Sequence, residues 1–239
     1  MAVLNGPPPE AALLPGADRV LAVHAGLLPQ TEQLCGPFAA HAALHAVLDA
    51  PPTIGGLALA ADTRVWPHDE VALRPAGAPG LTTGQAGLPV AASPEGSGTD
   101  AGPLADGIEA VADVAVVRVP AEAGTPVEHW AALLTALHDA AYDVGVVANL
   151  RTGPVAPPGD PAWDVGHFVV LVSWDPGTTT VGIADTYPEA GAPGWPPGCR
   201  GVPVDALAAA LAAPPGRGLL LLVRPEDEAA CHRTVAAGR

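Results

Sequence analysis

HFVVLVSWDPGTTTVGIADT, residues His167–Thr186, decides the fold. His167–Trp174 is rich in β-branched and aromatic residues, Asp175-Pro176-Gly177 is turn chemistry, and Thr179–Thr186 returns as a partner strand. Strands joined by so short a turn must run antiparallel, because a parallel pair needs a crossover of about a dozen residues or more. The same turn brings the start of the first strand beside the end of the second. His167 and Asp185, eighteen residues apart in the chain, are therefore expected as cross-strand neighbours with backbones about 5 Å apart.

Outward from this hairpin, Ala115–Val119 (AVVRV), Val144–Leu150 (VGVVANL) and Gly218–Val223 (GLLLLV) read as further buried strands. Helices are predicted over Ala17–Leu27, from Cys35 to about Leu48, and over Leu104–Val111 and Val204–Ala212. Thr125–Ala140 is the clearest helix: Thr125 is set to cap it, Pro126 opens its first turn, Glu128 completes a capping box, and Trp130, Leu133, Leu134 and Leu137 share a face. Helices first and a block of turn-linked strands afterwards predict an α+β fold with an antiparallel sheet.

Between Thr53 and Pro103 the pattern weakens. Ala58–Val65 suits either a helix or a strand, Glu70–Arg74 alternates like a short strand, and Ala76–Pro103, dominated by Gly, Pro, Ser, Thr and Ala, reads as a long loop or lid. The organisation expected is one domain over residues 1–225 with a loop-rich insertion at about 53–103. Residues 1–8 are a loose proline-rich lead-in, and 226–239 a C-terminal tail forming a frayed helix.

Composition narrows the function. Of 239 residues, 49% are hydrophobic, too many for a disordered chain. Acidic residues number 25 against 10 basic ones, all arginine, so a nucleic-acid partner is not expected and lysine chemistry is excluded. No run reaches the roughly 18 apolar residues of a membrane span, and MAVLNGPPPEAALL has no basic segment ahead of an apolar one; a soluble, cytoplasmic protein is expected. Cys35, Cys199 and Cys231 are too few and too far apart for a disulfide framework or a zinc cluster.

One of these cysteines has a special setting. In QTEQLCGPFAAHAALHAVL, Gln30–Leu48, Cys35 is followed by Gly36, Pro37 and a run of helix formers, so it sits at a helix N-terminus. Unsatisfied N–H groups and the positive end of the helix dipole favour anionic sulfur there. A thiolate nucleophile needs an imidazole to carry protons and an acceptor to orient that imidazole, and His167 with Asp185 supplies both. Asp164 and Asp175 are rival carboxylates. Trp163 either shields the site or packs in the core. His41 and His45, one helical turn apart, form at most half a metal site. Cys199 and Cys231 are assigned no role.

Gln30–Phe38 (QTEQLCGPF), Gly166–Val172 (GHFVVLV) and Ile183–Pro188 (IADTYP) together resemble the papain-like cysteine peptidases, in particular the bacteriocin-leader-processing peptidases and the phytochelatin synthases. The resemblance covers about half of the chain. It implies a papain-like α+β fold, with the cysteine at the head of a helix packed on an antiparallel sheet that carries the histidine and an Asp or Asn. It further implies that Cys35 is the nucleophile, His167 the general base and acid, and Asp185 the orienting residue. A glutamine upstream of the cysteine would complete the oxyanion hole; Gln30 is the candidate, with Gln33 in competition. The implied activity is thiol-dependent acyl transfer on a peptide or small acyl substrate, without cofactor or metal. Peptidase or amide hydrolase leads, with acyltransferase or transpeptidase next. The competing readings are an inactive scaffold that binds a peptide or protein partner, and a small metalloprotein using Cys35, His41 and His45.

Overall fold

The computed structural model describes residues 10–80, 87–122, 124–157, 159–214 and 217–238. The lead-in over residues 1–8 and part of the Ala76–Pro103 loop, 81–86, lie outside them. β1 (Ala115–Pro120), β2 (Gly145–Arg151), β3 (Gly166–Asp175), β4 (Thr180–Ala184), β5 (Cys199–Pro203) and β6 (Gly218–Val223) form one sheet in the order β1-β6-β2-β3-β4-β5. Every neighbouring pair is antiparallel. This is the α+β class, with the antiparallel sheet that the hairpin predicts.

An antiparallel sheet wet on one side alternates apolar and polar residues. Here β6 is buried throughout and β2 is buried from Gly145 to Leu150, so both faces must be covered. The helices divide accordingly. α1 (Ala17–Leu27), α2 (Cys35–Leu44), α3 (Ile54–Ala60) and α4 (Ala101–Val111) pack among themselves, with α2 on β2 and β3 and α4 on β1. α5 (Val127–His138), α6 (Val204–Ala212) and α7 (Glu228–Ala237) form the second group, on β3, on β2, β4 and β5, and on β1 and β6 respectively. One apolar core runs from Leu14 to Val235 and draws on every strand.

α2 is the helix that matters most. From Gly36 to Leu44 all of it is buried except His41, which suits a segment apolar on nearly every side. Its alanines allow close approach to the sheet. At Gly145 the approach is so close that a Cβ would stand 2.3 Å from the Ala43 carbonyl oxygen.

Several expectations need correcting. α2 stops at Leu44, and the chain tightens through His45, Ala46 and Val47 with bonds back to Ala42, Ala43 and Leu44, the usual way a helix satisfies its last carbonyls. Glu70–Arg74 is a 3-10 turn, not a strand: Val71 is exposed, and no ladder partner rewards the alternation. Thr53, whose Oγ1 accepts from the Gly56 N–H, starts α3, and Val65 makes only an isolated bridge. The capping box of α5 does not form. Pro126 takes the cap position, while Thr125 Oγ1 bonds the backbone of Glu122. β5 carries no strong strand pattern in sequence and is a strand because β4 offers it an open edge. The tail after Pro225 does not fray; α7 docks through Cys231 and Val235.

Candidate active site

Cys35 is the first residue of α2. Leu34 holds the cap position and has no side-chain acceptor, and Pro37 has no N–H, so the first turn is left without a side-chain cap. The thiol occupies that end. It accepts from the backbone N–H groups of Phe168 and Gly36, and it shares a hydrogen bond and a charge interaction with His167. Burial pushes the thiol up, but these partners outweigh it and hold Cys35 below the ordinary thiol range. The other two thiols go the opposite way: burial pushes Cys199 up to about 12 and Cys231 up to about 11.

His167, the second residue of β3, is buried. Its Nε2 lies 2.9 Å from Asp185 Oδ1, with Thr186 Oγ1 at 3.3 Å. Nε2 being taken, Nδ1 is the ring nitrogen left to serve the thiol. Burial alone would lower the imidazole pKa; the Asp185 carboxylate and the sulfur raise it above the ordinary histidine value.

A β-bulge makes the His–Asp contact possible. Trp174 pairs with Val181 and Ser173 with Gly182, but beyond the bulge Leu171 pairs with Ile183 and Val170 with Ala184. Continued one step, the shifted register puts Asp185 opposite Val169, on the face that His167 shares. Without the shift Asp185 would oppose Val170 and point to the other face. The two residues are thus diagonal neighbours, not the directly opposed pair expected from the hairpin.

Asp185 is fully buried and completely engaged. Arg200 Nη1 donates to its Oδ2 at 2.9 Å, and the Tyr187 N–H donates to Oδ1 at 3.3 Å. Burial would raise the carboxyl pKa; His167 and Arg200 reverse this and hold it well below the usual carboxylate range. Arg200 is itself fixed by the carbonyls of Ala190 and Val155. His24 Nε2 lies 2.7 Å from the Asp185 carbonyl oxygen. A carbonyl can only accept, so His24 carries its proton on Nε2, and its Nδ1 faces the Cys199 thiol at 3.9 Å. Burial keeps this imidazole low and neutral. Neither Arg200 nor His24 has a sequence signal, since β5 was not legible and His24 has no motif partner.

Aromatic rings seal the pair from water. Tyr187 stacks on His167 at 5.9 Å between centroids, and the buried Trp163 meets His167 edge-on at 5.1 Å and Tyr187 at 5.9 Å. Gln30 is tied to the same segment: its backbone N–H donates to Thr186, and its Nε2 donates to Tyr187 Oη at 3.0 Å. Its Oε1 is buried without a hydrogen-bond partner. Turning the amide end for end lets the Tyr187 hydroxyl donate to Oε1 and frees Nε2 as a donor. Gln33 is committed elsewhere, with both ends of its amide on the backbone of Trp66.

The residues Cys35, His167, Asp185 and, through Tyr187, Gln30 therefore come together. The rivals do not. Asp164 pairs with Arg151 at the surface, and Asp175 bonds Gly177 and Thr178 within the hairpin turn. His41 and His45 face each other edge-on while His41 Nδ1 bonds the Pro52 carbonyl. Among the described residues no group of three or more His, Cys, Asp or Glu side chains could hold a metal ion.

The model of a family of unknown function (DUF6885) matches residues 14–238. The chain belongs to that family. No curated protein matches it. The DUF6885 match spans every residue of the site, from His24 and Gln30 to Arg200. Among the described residues, no helix is long and apolar enough to cross a membrane.

Chemically, the DUF6885 site joins a thiol biased toward thiolate, an imidazole biased toward imidazolium, and a carboxylate whose second oxygen is neutralised by a buried guanidinium. Donors at an uncapped helix N-terminus adjoin the sulfur. Such a set can attack an electrophilic carbon and return a proton to the group that leaves.

Proposed function

We propose that this protein is a thiol-dependent acyl-transfer enzyme with a Cys35–His167–Asp185 triad, most plainly a peptidase or amide hydrolase. The observation that carries it is the hydrogen-bonded line from Cys35 through His167 to Asp185 at the N-terminus of α2, with Cys35 as the thiol held below its ordinary pKa. The likeness of the three motifs to papain-like cysteine peptidases supports the same reading.

Cys35 Sγ attacks the carbonyl carbon of an amide or ester, and the carbonyl electrons move to oxygen. That oxyanion is held by N–H groups at the head of α2, joined by the Gln30 amide. Collapse of the tetrahedral intermediate expels the amine or alcohol, which takes the proton from His167. The acyl thioester is then hydrolysed by a water that His167 deprotonates, or is intercepted by an amine. Asp185 fixes the imidazole, and Arg200 keeps Asp185 ionised throughout.

The test is acylation by p-nitrophenyl acetate with peptide mapping. A burst of p-nitrophenolate matched by an acetyl group on Cys35, absent in Cys35→Ala and strongly slowed in His167→Ala, is expected. Acetylation that leaves Cys35 unmodified, or that proceeds equally in His167→Ala, would overturn the reading and leave the fold as a binding scaffold.

A further inference from the structure

The chain holds far more carboxylates than arginines, 25 against 10, and six of the arginines are paired with one. Arg19, Arg64, Arg74, Arg118, Arg151 and Arg200 each make an ion pair. Arg217, Arg224 and Arg233 make none among the described residues, and of these three Arg217 alone is not exposed. It lies just before β6, half-buried, and among the described residues its one side-chain hydrogen bond runs from Nη1 to a neutral amide, Asn149 Oδ1, at 2.8 Å. Nε is buried without a partner.

Its position is that of the active site. Asn149 on β2 pairs with Phe168 of β3 and Gly218 of β6, so the ends of three strands meet where α2 sets down Cys35. The guanidinium turns its Nη1–Nη2 end toward Gly166, the residue before His167: a Cβ there would be 2.9 Å from Nη2 and 3.0 Å from Nη1. Gly166 is exposed, which places the group at the solvent side of the site. Burial and then the Arg151 charge work against the ionisation of Arg217, while Cys35 and Asp164, both within electrostatic reach, favour it. A half-buried cation that makes no ion pair, with Nη2 carrying no hydrogen bond among the described residues, has capacity left for an anion. Nη2 can donate a charge-assisted hydrogen bond to a carboxylate oxygen.

We propose that Arg217 is a carboxylate-binding subsite, so that the acyl substrates of this site carry a carboxylate next to the carbonyl that Cys35 attacks. The proposal rests on Cys35 as nucleophile. Arg217 acts as a specificity determinant: it seats the substrate anion, and Asn149 and Gly166 seat Arg217.

Iodoacetate and iodoacetamide test this directly. Both alkylate sulfur with loss of iodide and formation of a thioether, and they differ in carrying a carboxylate or a neutral amide. The rate ratio of iodoacetate to iodoacetamide at Cys35 should exceed that of free N-acetylcysteine under the same conditions. It should fall about tenfold in Arg217→Gln, the worth of one charge-assisted hydrogen bond, and recover in part in Arg217→Lys. A wild-type ratio no higher than that of N-acetylcysteine, or one unchanged in Arg217→Gln, overturns the subsite while leaving the nucleophile in place. If Cys35 reacts with neither reagent, the catalytic reading fails, and acetate titration of Cys35→Ala by arginine Nε–H NMR decides the subsite alone. A saturable shift of the Arg217 resonance, assigned by its loss in Arg217→Lys, supports anion binding there; no shift, or equal shifts in all arginines, overturns it.

Discussion

Arg200 donates to Asp185 Oδ2 at 2.9 Å, on the carboxylate oxygen that His167 leaves vacant. A carboxylate so deeply buried is tolerable only with its charge balanced, and one imidazole, whose charge depends on pH, cannot supply that balance alone at every pH. Arg200→Gln removes the permanent cation. It should destabilise the fold by about 3–5 kcal/mol, the effect of leaving a buried charge without its partner. Urea unfolding measures this, and a loss below 1 kcal/mol would show that His167 alone suffices. Arg200→Lys should also be destabilised, because an ammonium cannot serve Asp185, Ala190 and Val155 with the geometry of a guanidinium.

Cys35 is held below the ordinary thiol range and His167 above the ordinary imidazole range, so thiolate and imidazolium coexist between the two values. Alkylation of Cys35 by iodoacetamide should persist well below the ~8.5 of a free thiol. In His167→Ala both the hydrogen bond and the charge are lost while burial remains, so the acid limb should move upward. Cys199 and Cys231, both raised, should react slowly in the folded protein at every pH up to 8. A single common profile for all three thiols would contradict the electrostatics described here.

Asp185→Asn keeps the shape and removes the charge. In the wild type the depressed Asp185 pKa contributes stability above the unfolded value of about 3.9, and this is lost as pH falls through the folded pKa. The raised His167 pKa contributes stability that is complete below about 6.5 and is lost as pH rises through the folded pKa. The stability gap between wild type and Asp185→Asn should therefore be widest between about pH 4 and 6.5 and narrow on either side. Guanidinium unfolding at a series of pH values checks it; a gap constant from pH 4 to 9 would mean that the ion pair is not the source.

Gln30 touches the site through Tyr187 and not through the thiol's own hydrogen bonds. Gln30→Ala should lower the rate of Cys35 acylation by about 10²–10³-fold, as loss of one oxyanion donor does, while changing iodoacetamide labelling, which forms no oxyanion, far less. Tyr187→Phe retains the stack on His167 and removes the hydroxyl, so its acylation defect should be the smaller. Equal effects of Gln30→Ala on both reactions would assign Gln30 a packing role.

What could be read from the chain by itself was whatever short range dictates. The DPG turn fixes the antiparallel hairpin, Gly36-Pro37 and the alanines after Cys35 fix a helix that opens on the thiol, and α1, α6 and β6 fall where the apolar patterns place them. Long-range contacts decided the rest. The bulge between Leu171 and Ser173, which turns Asp185 to the face of His167, depends on how two strands share a register and leaves no mark on either strand's alternation. Arg200 and Arg217, fifteen and fifty residues beyond the last and first members of the His–Asp pair, reach the site only because β5 and β6 take their places in the sheet. Local sequence sets backbone conformation within a few residues, whereas the charges that tune a buried site act through space, across strands whose order only the packed core determines.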